Sequence, residues 1–277
     1  MSADINTRLA ALPGFPVLTG QRVRLRGPCV QDIDALFALF SHPDVMRYWS
    51  SAPMRVRMQA EGKLGEMLDG FERRDALNWL VSTRRGDVAI GSCTLYRFDA
   101  RHRRAEIGYA LHPDQWGRGL AGEAVALALD WGFRSLGLHR IEADIDPRNE
   151  ASRRLLQSLG FRSEGLLRQR FLVDGETTDS EIFGLLHDEW AARAARLSIH
   201  TRIRIAGDGR PSRCARRQPT REARIRAAGA AVRTIRTATT PGYMMQPLTA
   251  RERGVTTPQP GSPQPYMRTP TTAPASS

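Results

Sequence analysis

The stretch Ala105–Gly122, AEIGYALHPDQWGRGLAG, constrains this chain most, because it runs from a strand through a glycine-rich loop into a helix. Arg104 to Leu111 alternates, with Ile107, Tyr109 and Leu111 on one face and Glu106, Gly108 and Ala110 on the other, which is the period of a strand. Leu120 to Leu136 follows the helical period through small and apolar residues at 121, 124, 125, 128 and 132. Gly117, Gly119 and Ala121 let a ligand reach the backbone of the first turn. Free N–H groups and the positive end of the helix dipole make that terminus an anion site, suited to a pyrophosphate.

A second segment repeats the design. Arg140 to Ile145 reads as a strand, Asp146-Pro147 ends it, and Asn149 to Leu159 reads as a helix with Asn149 at its N-cap. Gly160 closes that helix and Phe161 opens another strand. A dinucleotide fold competes for these motifs, since Gly117, Gly119 and Gly122 satisfy G-x-G-x-x-G, with Glu142 and Asp144 about twenty residues on. Three features oppose it. His112 to Trp116 separate the strand from the glycines, the two carboxylates lie inside a strand, and a hairpin through Val173-Asp174-Gly175-Glu176 stands where further strand–helix units would be needed.

The order strand, W-G-R-G-L-A, helix, strand, N-E-A-S, helix, G-F resembles the GNAT superfamily of acetyl-CoA-dependent N-acetyltransferases, and within it the group that acetylates ribosomal-protein N-termini at alanine. The resemblance spans about Leu18 to Leu197, including RVRLRGPCVQDIDALFALFSHPDVMRYW and FLVDGETTDSEIFGLLHDEW. The superfamily pattern Gln/Arg-x-x-Gly-x-Gly/Ala falls on Trp116, Gly117, Arg118, Gly119, Leu120 and Ala121, and departs from it at Trp116. The fold implied is of the α+β type: a mixed, mostly antiparallel sheet flanked by helices, with acetyl-CoA between two splayed strands. The resemblance further implies that Tyr109, Ala110 and Leu111 hold the thioester carbonyl through main-chain N–H groups and that Asn149 meets the pantetheine arm.

Acetylating an amine requires a neutral nucleophile, donors for the oxygen of the tetrahedral intermediate, and a proton for the departing thiolate. Glu106 is the candidate to take the amine proton, through water; the alternative is an ion pair with Arg101, Arg103 or Arg104. Many GNAT enzymes carry a tyrosine acid four residues before the glycine of the G-F pair, where this chain has Leu156. Ser152 becomes the candidate acid, unless it only stabilises the first helical turn. An α-amine, with a pKa of about 7.7 to 8.0 against about 10.4 for lysine, is roughly 3.5 kcal/mol easier to deprotonate. This favours protein N-termini or weakly basic small-molecule amines such as antibiotics and polyamines. Tyr48, Trp49 and Trp79 are candidates for the acceptor pocket or for the core. A non-catalytic acetyl-CoA-binding module, or an RNA-associated one, is the alternative in another class.

Charge sets a boundary near 198. Residues 199–277 hold 14 arginines and three acids, while residues 1–198 are close to neutral. The Pro, Thr, Ala and Arg composition of 199–277 predicts a disordered tail beyond a single 18–198 domain. Such a tail suits weak contact with RNA or the ribosome, or is merely a solvated extension. With 40 arginines against the one lysine, Lys63, it also fits a shifted frame in GC-rich coding. No apolar run reaches membrane-spanning length and no signal peptide opens the chain, so a cytoplasmic protein is expected. Cys29, Cys93 and Cys214 form no close-spaced pair, Cys93 reads as a core residue, and the six histidines lack ligand spacing, so no metal is expected.

Overall fold

The computed structural model describes residues 4–84, 86–197 and 202–205. Helix α1 (Ile5–Ala10) leads to strands β1 (Pro16–Thr19) and β2 (Val23–Arg26). Helices α2 (Ile33–Ser41), α3 (Pro43–Met46) and α4 (Arg57–Arg73) precede strands β3 (Ala76–Thr83), β4 (Ala89–Asp99) and β5 (Arg104–Leu111). Then come α5 (Leu120–Trp131), β6 (Arg140–Ile145), α6 (Glu150–Leu159), β7 (Arg162–Val173), β8 (Glu176–Leu186), α7 (His187–Leu197) and β9 (Arg202–Ile205).

The strands form one sheet in the order β7-β8-β6-β5-β4-β3-β2-β1-β9. All neighbours are antiparallel except β5 and β6, which makes the sheet mixed but mostly antiparallel, as the sequence implies. On one face Trp79, Val81, Ile107 and Ile141 pack with α1, α5 and α7. On the other, Leu80 and Ala110 pack with α2, α3 and α4. Neighbouring residues Trp79, Leu80 and Val81 thus serve two different cores, which explains why β3 reads as a near-continuous apolar run. Helix α5 is buried along most of its length and lies at the centre of the first core.

Three departures from the sequence reading have physical reasons. The helix expected through Leu136 ends as α-helix at Trp131 and finishes in a wider π turn over Gly132–Leu136, closed by Gly137 at φ +74°. Here Gly132 is packed against Leu95, Leu138 and Ile141. Upstream of Leu18, Ile5, Leu9 and Leu12 are buried in the same core, and β1 adds a strand before the one foreseen at 22–26. Their amphipathic pattern is too short to stand out from a loop. Finally, β9 pairs antiparallel with β1 inside the stretch assigned by composition to a disordered tail; the rest of 199–277 lies outside the described residues. The expected turn at Asp174-Gly175 is present, with φ of +49° and +89°, the geometry a two-residue hairpin loop requires. No helix among the described residues is long and apolar enough to cross a membrane.

Candidate active site

The site begins where two parallel strands part. Strands β5 and β6 pair only from Arg104↔Arg140 to Glu106↔Glu142. Beyond that point β5 continues along β4 and β6 along β8, which leaves a cleft between residues 107–111 and 143–145. Helices α5 and α6 both start beyond the carboxyl ends of these strands, so two helix N-termini stand at the mouth of the cleft.

The loop before α5 is built to expose amides. Gly117 and Gly119 adopt φ of +71° and +67°, a left-handed backbone that side chains rarely accept. The guanidinium of Arg22 donates to the carbonyls of Arg118 (2.7 Å) and Gly119 (3.2 Å), which draws the carbonyls to one side. Arg22 is itself held by Glu123, whose carboxylate accepts from the Arg22 amide (2.7 Å), the Arg22 Nε (2.8 Å) and the Val23 amide (3.3 Å). Burial opposes its charge, but these donors win and hold the Glu123 carboxyl below its ordinary range. The amides of Gly117 to Gly122 find no acceptor among the described residues. Trp116 is half-exposed and donates its Nε1–H to the Leu111 carbonyl (2.7 Å), pinning the loop to the end of β5. Leu120 is buried beneath the first turn of α5 and Ala121 packs beside it.

The three β5 residues expected to donate amides divide by strand geometry. The His112 amide bonds to Ile90 on β4 (2.8 Å), so alternate residues, Ala110 among them, face β4. The Ala110 carbonyl lies against Gly91, in agreement. The amides of Tyr109 and Leu111 therefore point into the cleft, and Ala110 is corrected from an amide donor to a residue whose side chain packs in the second core.

On the sheet face opposite α5, Glu106, Glu142 and Asp144 line a cavity of about 310 Å³ with Arg104 and Arg170. Each acid has a cation. Arg97 donates to both Glu106 oxygens (3.0 and 3.2 Å), Arg140 and Arg104 reach Glu142, and Arg170 reaches Asp144 at 3.4 Å. The partner of Glu106 is thus Arg97 and not Arg101, Arg103 or Arg104. A bulge between Tyr96 and Asp99 puts Arg97 at φ +53° and turns it to the Glu106 side, which no spacing rule reveals. Burial raises the Asp144 carboxyl despite the Ser180 hydroxyl and Arg170, and burial together with Glu106 raises the Tyr96 phenol.

At the start of α6 the Asn149 Oδ1 accepts from the Ser152 amide (3.1 Å), a side-chain N-cap. Ser152 stands in the first turn, and Leu156 is fully buried. A second, more open cavity of about 280 Å³ lies between the segment Pro43–Pro53 and the β7–β8 hairpin, with Trp49 on its wall. Trp79 lines neither cavity. It is fully buried against Trp131 and donates to the Pro16 carbonyl (2.8 Å). Cys93 is buried, its thiol pushed up to about 12 by burial, as befits a core residue. Arg22, Glu123 and Arg97 escaped the sequence reading. Glu123 carried a faint signal, an acid in a first helical turn, but its partner lies 101 residues away.

Residues 22–162 match the family model described as the acetyltransferase (GNAT) domain. Over 172 residues the chain is 35% identical to YoaA, an uncharacterized N-acetyltransferase of Bacillus subtilis, covering 62% of this chain and 97% of the relative. It is 31% identical over 154 residues to the spermidine N(1)-acetyltransferase of Escherichia coli K12, covering 56% and 80%. The crystal structure of Mycobacterium smegmatis RimJ in complex with CoA-disulfide superposes with a TM-score of 0.60 at 25% identity, covering 66% of this chain and 94% of that one.

Proposed function

The chain belongs to the GNAT acetyltransferase family, and from that premise we propose that it acetylates the α-amine of a protein N-terminus. The coarser activity follows from the family: this is an N-acetyltransferase, and acetyl-CoA is its acetyl donor. Acetyl-CoA supplies the acetyl group as a thioester, and the loop suits its pyrophosphate, because the unpaired amides at the start of α5 are what a buried polyphosphate would satisfy. In this reading Trp116, Gly117, Arg118, Gly119, Leu120 and Ala121 hold the pyrophosphate. The Tyr109 and Leu111 amides hold the carbonyl oxygen, and Asn149 meets the pantetheine arm while capping α6.

Glu106 takes the amine proton through water, and Ser152 gives one to the departing sulfur. The observation that carries the α-amine reading is the Arg97 pair. Glu106 is committed to an ion pair, and a carboxylate takes a proton far more readily from an α-amine than from a lysine. A small-molecule amine is the second reading. It is favoured by the three carboxylates around the Glu106 cavity and by the likeness to a spermidine N(1)-acetyltransferase. A panel of peptides with varied N-termini, spermidine and antibiotic amines, followed by free-thiol release, tests both. Turnover on peptides with little on small amines supports the first reading, and the reverse result replaces it with the second. The 14 arginines of 199–277 add a weak, salt-sensitive contact with RNA or the ribosome, testable by retardation of labelled RNA with increasing salt.

A further inference from the structure

The arginines around the Glu106 cavity are not equally occupied. Arg97 is committed to both Glu106 oxygens, and Arg140 is shared between Glu142 and Glu164. Arg170 is different. Its nearest approach to a carboxylate is Nε to Asp144 at 3.4 Å, and its two terminal amino groups form no hydrogen bond among the described residues. A guanidinium fork matches a carboxylate with two parallel N–H donors, so a fork left open on a cavity wall is a place for an anion. The backbone puts it there by a specific device. Residues 168–170 of β7 stand opposite Asp179 alone, because the register shifts between Leu167 and Phe171. Gln169 fixes this bulge at φ +49°, and its amide donates to the Asp179 carboxylate (2.7 Å). Arg168 is left exposed, while Arg170 lines the cavity with its side chain 30% exposed.

We infer that Arg170 selects acceptors that carry a carboxylate close to the amine that is acetylated. This rests on the α-amine reading and names its substrate class: an N-terminus whose next residues include Asp or Glu, or a short acceptor whose own C-terminal carboxylate lies as near. The amine sits at Glu106 and the carboxylate takes the open fork of Arg170, so both charges of the acceptor are matched inside one cavity of about 310 Å³. Asp144 restrains the guanidinium from the other side. One of its oxygens faces Arg170 and the other accepts from the Ser180 hydroxyl, which keeps the carboxylate, and with it the arginine, in place. A second ammonium on the acceptor is poorly served here. Glu106, Glu142 and Asp144 each have an arginine already, so a further cation would have to displace one of them and would meet the charge of Arg170.

The test uses the full chain and acetyl-CoA, with thiol release followed on C-terminally amidated peptides that differ only in carrying Glu, Gln or Lys at the second and third positions. The Glu peptides should show kcat/KM about tenfold above the Gln peptides, the gain expected for a hydrogen-bonded pair of charges, and the Lys peptides should fall below both. Arg170→Gln should remove the preference for Glu over Gln, whereas Arg168→Gln, at the exposed neighbour in the same bulge, should keep it. A neutral dipeptide compared with its amide distinguishes the source of the carboxylate: a preference for the free acid that Arg170→Gln removes supports the same role with a C-terminal carboxylate. Equal use of Glu and Gln peptides, together with equal use of the dipeptide and its amide, would overturn the inference and leave the α-amine reading standing. A preference that survives in Arg170→Gln overturns it as well. Turnover on spermidine with none on any peptide would remove the α-amine reading and this inference together. Should Arg170→Gln melt early, the wild-type chain decides: the preference should shrink as salt is raised, and a salt-independent preference counts against the fork.

Discussion

The loop before α5 and the carboxylate face around Glu106 lie at the two ends of one strand, yet they are built on opposite principles. The loop presents backbone. Its exposed groups are amides, set by two left-handed glycines and by the Arg22–Glu123 pair that restrains the carbonyls. The Glu106 face presents side chains, three acids each balanced by arginine from another strand. A backbone site is indifferent to most side chains but intolerant of bulk or a wrong φ. A side-chain site depends on every charge in the set. In the proposed reading the same contrast separates donor from acceptor. The donor site can be shared across a family, whereas the acceptor site is free to vary.

The largest expected effect breaks the backbone site. Ala121→Glu puts bulk and negative charge beside the exposed amides and should abolish the rise in melting temperature that acetyl-CoA produces, along with turnover. A full thermal shift in this variant would show that the loop does not hold the pyrophosphate. Next, Glu106→Gln should lower turnover on the order of 10²-fold with little change in acetyl-CoA affinity. That loss should shrink as pH rises and the amine becomes neutral, so a pH-independent loss in the rate profile would make Glu106 structural.

A smaller effect separates the supports of the two sites. Arg22→Ala frees the loop carbonyls and should weaken acetyl-CoA binding by about tenfold, measured by calorimetry, while Arg97→Ala should change acceptor kinetics and leave acetyl-CoA affinity alone. Equal effects of the two variants on acetyl-CoA would erase the distinction. The Arg22–Glu123 pair also has a pH signature. Because the Glu123 carboxyl is held low in the folded protein, its contribution is present above the ordinary carboxylate pKa of about 4.3 and is lost as pH falls through the lowered value. Glu123→Gln should therefore lower the melting temperature at neutral pH and flatten its fall on the acid side, and an unchanged acid limb would contradict the assignment. The smallest effect is expected from removing residues 206–277, which retains β9 on β1. Acetyl transfer to a short neutral peptide should be unchanged, and its loss would tie the basic stretch to the acceptor site.

Strands β5 and β6, the caps of α6 and the loop glycines were all legible in the sequence, because each depends on residues a few positions apart: alternation, an Asn before a helix, glycine where φ is positive. Strand β1 and helix α1 were not, since four and six residues carry too little periodicity to distinguish them from a loop. Nor was the partner of Glu106, which the sequence suggested among Arg101, Arg103 and Arg104 and which is Arg97. All are near in sequence, and only the bulge at Tyr96–Asp99 selects one.

Local patterns thus determined the family fold and the amide-lined loop, as backbone conformation is a property of short segments and family membership is written in them. Tertiary structure decided what those segments meet. Strand alternation against β4 turned the Ala110 amide away from the cleft, and packing brought Arg22 to Glu123 across 101 residues. Such pairings are fixed by the folded core as a whole, because charge and hydrogen-bond partners act through space, over distances that sequence separation does not encode.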